Sequence, residues 1–497
     1  MNPTELSTAN GRSALPPILR AEAEDRLPPR RDWTWTIGPA YLGVFIWFPF
    51  LDSACATVGG FAGLGSLVAA ALLGVLLAHG LLYVGPALWG WKAGQRLGLT
   101  AAAALGTAGS EWVTGLGGSA AAILWYALAL DYAVRLEFLG LMAFGLLEPA
   151  AFSPIPLGPF VVLSPVVLAT AAFWILITGL ACLLRLVGVV AALLQVYAPL
   201  AVVLLALAAG FNSAGLVAFG EGGATVPAGA RGEGPLALIQ RIFSYFAFAG
   251  IMAVEWGGAV RTRRDVFIGG WYGVLLGGWC ATLFALLTVA GAAARSRLVE
   301  SSGIAGMPPI SLQGALLGGI GGVTGGILVM LFGLAALAPA VYSADRFGRK
   351  LADRWPRLGR GGATWLGGGV ALVLMATGWG GQAELVFTLT GGVFAALAGV
   401  LVAEALRCGG AWRGMRPGVH GVGLAAWGAG ALVGIVPSLG VWLGWPAAAR
   451  LEPAAVVAFL TSLVIYALAA KAPARWEAVP TMAESGAPAA VPGGGST

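Results

Sequence analysis

From residue 37 to residue 471 the chain alternates apolar stretches of about twenty residues with short polar or glycine- and proline-rich breaks. The stretches fall at 37–60, 64–88, 108–134, 160–184, 186–210, 237–260, 267–291, 314–344, 364–380, 383–406, 419–445 and 453–471. Most are long enough to cross a hydrocarbon core of about 30 Å as a helix, the one open-ended element whose backbone satisfies its own hydrogen bonds in lipid. The pattern predicts an all-α, polytopic membrane protein of about twelve transmembrane helices, numbered here as spans 1–12. The eighth stretch opens on GGIGGVTGG, which reads as a loop or as helix packed closely on its neighbours.

Charge fixes the orientation. Only 10% of residues are charged, against about 25% in a soluble domain. With twelve crossings, all but six of the 28 lysines and arginines fall on one side, which the positive-inside rule assigns to the cytoplasm. Both termini are then cytoplasmic, and the expected location is the cytoplasmic (inner) membrane. The net charge of +6 is a topology signal and not a nucleic-acid footprint. Residues 1–36 read as a polar, proline-containing cytoplasmic tail without the apolar core of a signal peptide. Residues 472–497 read as a disordered cytoplasmic tail. Two histidines and four cysteines without CxxC spacing predict no metal site and no cofactor.

Spans 1 and 6 each pair a helix breaker with an acid. Span 1 has Gly43, Pro49 and Asp52; span 6 has Gly250 and Glu255. A matched pair of interrupted helices points to two inverted repeats, 37–210 (spans 1–5) and 237–406 (spans 6–10), followed by spans 11–12 at 419–471. An acid within a span costs a few kcal/mol unless it faces a cavity, a partner or a proton. Glu255, on the inner half of span 6, reads as a proton or cation site, as a gate, or as an ion pair with Arg261 six residues on. Asp52 reads as a ligand for a cation or polar solute group, or as a cap on a broken helix. Glu111 and Asp131 bracket span 3 and are expected at solvated interfaces. Trp125 places a large ring near mid-span, where it could stack on a flat solute. The basic, amphipathic stretch 343–360 is expected to lie along the membrane surface.

Three patches resemble the nucleobase–cation symporter family, which includes cytosine permease and hydantoin transporters. They are WKAGQRLGLTAAAALGTAGS between spans 2 and 3, Glu255-Trp256 followed by Arg264-Asp265, and APAVYSADRFGRKLADRWP at the end of span 8. The resemblance spans residues 37–360. It implies the five-plus-five inverted-repeat, leucine-transporter-like fold with broken helices 1 and 6. It implies a solute site at Asp52, Trp125, Phe246 and Gly250, with Trp125 and Phe246 as its two stacking walls. Coupling or gating would rest on Glu255, Asp52 and Ser343. This chain departs from the family where span 3 has Ala129 in place of an amide ligand. It departs again where FGLAALAPA (332–340) lacks the hydroxyl and amide side chains expected in span 8.

The leading expectation is a permease for a small organic solute, nucleobase-like or related, coupled to H+ in preference to Na+. Its partners are that solute and the bilayer, not nucleic acid. An amino-acid-type permease of the same fold, or a non-transporting membrane sensor or scaffold, are the alternatives. No nucleophile, acid pair or phosphate-binding motif predicts an enzyme.

Overall fold

Every predicted stretch is helical over most of its length in the computed structural model, which describes residues 15–25, 27–60, 63–152, 155–157, 160–162, 164–220, 234–295 and 310–471. The observed spans are 1, Ile37–Phe45 with Phe48–Cys55; 2, Leu64–Ala93; 3, Thr107–Ala143; 4, Pro165–Leu183; 5, Val187–Phe211; and 6, Pro235–Ile251 with Ala253–Gly258. They continue as 7, Arg263–Ala294; 8, Gly322–Arg354; 9, Gly359–Ala376; 10, Ala383–Arg407; 11, Gly421–Trp442; and 12, Ala454–Ala469. Eight of these are single helices long and apolar enough to cross a bilayer, and span 1 passes as a bent pair. The chain is a multi-pass membrane protein. A two-stranded antiparallel hairpin, Ile155–Leu157 with Phe160–Val162, joins spans 3 and 4.

Local chemistry sets the helix ends. Span 4 starts where Ser164 Oγ accepts from the Val167 N–H ahead of Pro165. A reciprocal capping box between Thr262 and Asp265 starts span 7. Span 1 bends by 47°, and the break falls at Ile46-Trp47. Pro49 lies in the first turn of the second half-helix, where its missing N–H leaves no bond unmade. Span 6 breaks at Met252, two residues past Gly250.

Four expectations are corrected. Gly321 (φ 81°) and Gly322 (φ 50°) end helical geometry, so span 8 begins there and Leu312–Ile320 forms a separate short helix. The stretch from 343 is not a surface anchor: it completes span 8, with Asp345 and Arg346 buried. Asp131 is not solvated, being buried in an ion pair with Arg135 at 2.6 Å. The tail before span 1 contains a docked helix, Pro17–Glu24, with Ile18 and Leu19 fully buried.

Small residues set the closest helix contacts, because lipid-solvated helices gain from backbone approach. A β-carbon on Gly90 would overlap the Val254 carbonyl, and one on Gly257 the Ala87 carbonyl, joining spans 2 and 6. Gly273 lies on the Gly38 carbonyl and Gly270 on the Tyr83 ring, adding spans 7 and 1. A second set joins spans 3, 4, 8 and 9 through Gly140 on Met330, Gly179 on Trp365 and Gly348 on Thr364. Gly80, by contrast, faces open space. Gly90→Val is therefore expected to lower stability by about 1–3 kcal/mol through overpacking, with a matching loss of monodisperse protein in detergent. Gly80→Ala should leave both unchanged, and thermal unfolding monitored by size-exclusion chromatography compares the two.

Candidate solute site and its gates

A break in a membrane helix frees carbonyls that lipid cannot satisfy. In span 1 the Val44 carbonyl accepts the Tyr245 hydroxyl from span 6. In span 6 the Ala249 carbonyl accepts the Tyr41 hydroxyl from span 1 at 3.2 Å. The Val44 carbonyl also takes the Trp47 N–H and the Ala249 carbonyl the Met252 N–H, so each phenol adds a second bond at the other helix's break and brings its ring into the space between them.

Trp125 of span 3 lies in that layer. Its indole stacks on Trp47 (4.9 Å, 21°) and on Tyr245 (5.4 Å, 13°), while its Nε1 donates to Thr390 Oγ1 of span 10 at 3.4 Å. Trp47 and Tyr245 are 6.1 Å apart, so they share one side of the Trp125 ring. Phe248 and Phe387 border it at 5.0 and 5.6 Å. Phe246 faces elsewhere, stacked on Phe45 at 5.1 Å and against Tyr41. One residue along a helix turns a side chain by about 100°, so Tyr245 and not Phe246 is the span 6 partner of Trp125. Gly250 fits a close approach to span 2, since a β-carbon there would press on Leu82 and Phe246. The Nε1–H of Trp47, at the break itself, is buried without a hydrogen-bond partner.

Asp52 lies on one side of the aromatic layer. It is 1% exposed; its Oδ1 accepts the Leu312 N–H at 2.7 Å and its Oδ2 the Tyr132 hydroxyl at 3.3 Å. The acid ties span 1 to the short helix before span 8 and to span 3 through neutral donors, while Arg135, paired with Asp131, acts on it electrostatically. Nearby, Arg241 of span 6 bonds the Ser53 carbonyl (2.7 Å) and pairs with Glu384 of span 10 (2.9 Å).

Glu255 lies on the other side of the layer. Its carboxylate faces Arg96 at 3.6 Å and Arg346 of span 8 at 4.0 Å, and accepts the Leu97 N–H at 3.3 Å. Arg261, its expected partner, is exposed, because the chain leaves the helix at Gly258 and turns outward. Ser343 is buried one turn before Arg346. The structure therefore gathers Trp125 with Trp47, Tyr245 and Thr390, and sets Asp52 and Glu255 in separate polar clusters on either side. Sequence reasoning missed Trp47 and Arg346. The signal for Trp47 was its place two residues before Pro49, the helix breaker of span 1.

No protein-family model matches the chain, and no curated protein matches its sequence. Solved structures do. Mhp1, a nucleobase-cation-symport-1 family transporter, in a closed conformation with bromovinylhydantoin bound, is 15% identical over 94% of each chain, with a TM-score of 0.53. Mhp1 in an inward-facing conformation is 14% identical over 89% of this chain and 92% of its own, again at 0.53. MhsT in complex with L-phenylalanine is 17% identical over 88% of this chain and all of its own, also at 0.53. The chain has the leucine-transporter-like fold. At these identities the likeness is one of architecture, and the site has to be argued from its own residues.

Those residues do not suit Na+ where span 1 meets span 8. FGLAALAPA offers no side-chain oxygen, the Val44 carbonyl is engaged by Tyr245, and Phe48 packs on Phe332 at 5.4 Å. Hard cations need several oxygen ligands.

Breaking a buried ion pair from one side leaves a charge uncompensated, at about 3 kcal/mol. Glu255→Gln should lower the unfolding temperature in detergent, and Arg346→Gln likewise. The double variant should lose clearly less than the sum, which a double-mutant cycle measures.

Proposed function

We propose that the chain is a secondary transporter of the cytoplasmic membrane, with both termini cytoplasmic, that moves a small, planar, uncharged organic solute by alternating access. The nucleobase and hydantoin class fits this description. The observation that carries the reading is the pair Trp47–Trp125: a broad aromatic face beside a buried indole N–H that lacks an acceptor, at the break between two interrupted helices. A buried unmet donor costs about 1–3 kcal/mol, which a solute carbonyl entering the stack would recover. Aromatic stacking prefers offset planar partners and asks for no charge. A zwitterionic amino acid finds less here, because both nearby acids are committed to seals.

In this reading the two inverted repeats, 37–210 and 237–406, build the site, and spans 11–12 lie outside it. Coupling falls to H+ through Asp52. Its hydrogen bonds come from neutral donors, so proton uptake would weaken the seal on Leu312 without leaving an orphaned cation. Glu255, held by two arginines, stays charged and works as the inner gate. Ser343, beside Arg346, belongs to that gate. Phe246 and Gly250 support the aromatic layer from behind.

Proteoliposome uptake tests this. A panel of nucleobases, hydantoins and aromatic amino acids, with and without an inward proton gradient, is expected to yield at least one gradient-driven planar solute. Trp125→Ala should reduce its uptake at least tenfold, and Trp47→Phe should raise KM more than it lowers the maximal rate. Uptake of zwitterionic amino acids alone would refute the solute assignment. Asp52→Asn is expected to abolish stimulation by the gradient while solute exchange at equal pH continues. Gradient-driven accumulation that survives Asp52→Asn would remove Asp52 from coupling.

A further inference from the structure

The cytoplasmic mouth is covered by the chain's own N-terminal segment. Helix Pro17–Glu24 inserts Ile18 and Leu19 among Gly115, Leu99 and Ala102, where they are fully buried. The Ile18 N–H donates to Glu111 Oε1 of span 3 at 3.3 Å. Glu22, buried, pairs with Lys350 of span 8 and accepts the Leu99 N–H at 3.2 Å. Asp25 pairs with Arg96 at 2.5 Å and Arg349 at 3.9 Å. Further on, the Arg31 N–H donates to the Ala259 carbonyl and the Arg261 N–H to the Arg31 carbonyl, at 2.9 and 3.0 Å.

The segment thus bonds to the connection between spans 2 and 3, to span 3, to the inner end of span 6 and to span 8. Its acids engage both elements that hold Glu255: Asp25 shares Arg96 with it, and Glu22 holds Lys350 on the face of span 8 that carries Arg346 and Ser343 at i, i+3 spacing. While residues 18–25 stay docked, Arg96 and the end of span 8 that carries Arg346 are held next to Glu255.

We infer that residues 15–25, with Arg31, are a latch on the inner gate, and that their release limits how often the mouth opens to the cytoplasm. The inference rests on the alternating-access reading, but its test needs no solute. In full-length protein with the four native cysteines replaced by alanine, Ser343→Cys reports access behind the gate. Inside-out vesicles are treated with a membrane-impermeant maleimide, and labelling at position 343 is read by peptide mass. Ile18→Asp/Leu19→Asp is expected to speed labelling at least tenfold. Glu22→Lys should also speed it, and Glu22→Lys/Lys350→Glu should return it toward the parent rate.

A reversible lock guards against misfolding. A β-carbon on Gly115 would lie 3.7 Å from that of Ile18, within disulfide range, and replacing isoleucine removes the two methyls, Cδ1 and Cγ2, that would crowd it. Ile18→Cys/Gly115→Cys should label slowly at position 343 when oxidised and recover on reduction. Equal rates in the two states would overturn the latch, whatever the aspartate variant does. Labelling that follows the latch while no solute is moved would fail the transport reading alone; uptake with unresponsive labelling would fail the latch alone.

Discussion

Lipid has no hydrogen bonds to give, and the centre of this molecule is organised around that lack. Two helices stop part-way through the membrane, and each leaves backbone oxygens that something must reach. Turn N–H groups reach some of them, and Tyr41 and Tyr245, each from the other broken helix, add a second bond to a carbonyl beside the break. The choice has consequences for everything nearby. A phenol brings a ring with it, so the carbonyls that could have faced an ion are wrapped in aromatic surface, and Trp47, Trp125 and Phe387 complete the layer.

The two buried acids beside that layer differ by what surrounds them. Glu255 faces two guanidinium groups and a backbone N–H. Asp52 bonds to a phenol and a backbone N–H, and the one guanidinium that acts on it, Arg135, is already paired with Asp131. A carboxylate paired with cations is worth most when charged, so it suits a clamp. One held by neutral donors changes least in its surroundings when it takes a proton, so it suits a switch.

Much of this was legible in the sequence. Apolar run length gave the spans, and a proline and a glycine beside acids marked which two would break. Trp125 was visible because a ring at mid-span stands apart from the interface belts. The remainder depended on phase and on tertiary contact. Whether Tyr245 or Phe246 meets Trp125 turns on a single residue of helical register. Arg261 looked like the partner of Glu255 because it is near in sequence, yet Arg346 arrives from another span. Asp131 and Arg135 stand four apart, a readable ion-pair spacing that the expectation of a solvated interface overrode. The helix at Pro17–Glu24 is too short to be stable alone, so no local pattern announces it.

The glycines described above also sort the helices mechanically. Spans 1, 2, 6 and 7 touch backbone to backbone or backbone to ring, and spans 3, 4, 8 and 9 meet through glycines set against Met330, the Trp365 ring and Thr364. Where the two sets face each other, the contacts are stacked rings and long side chains: Trp47 on Trp125, Phe48 on Phe332, Glu255 toward Arg346. Backbone contacts resist sliding because nothing in them can rotate away, whereas an arginine can swing and a ring can slip over its neighbour. The molecule therefore has two stiff seams and one slippery one, and the slippery seam runs through the aromatic layer.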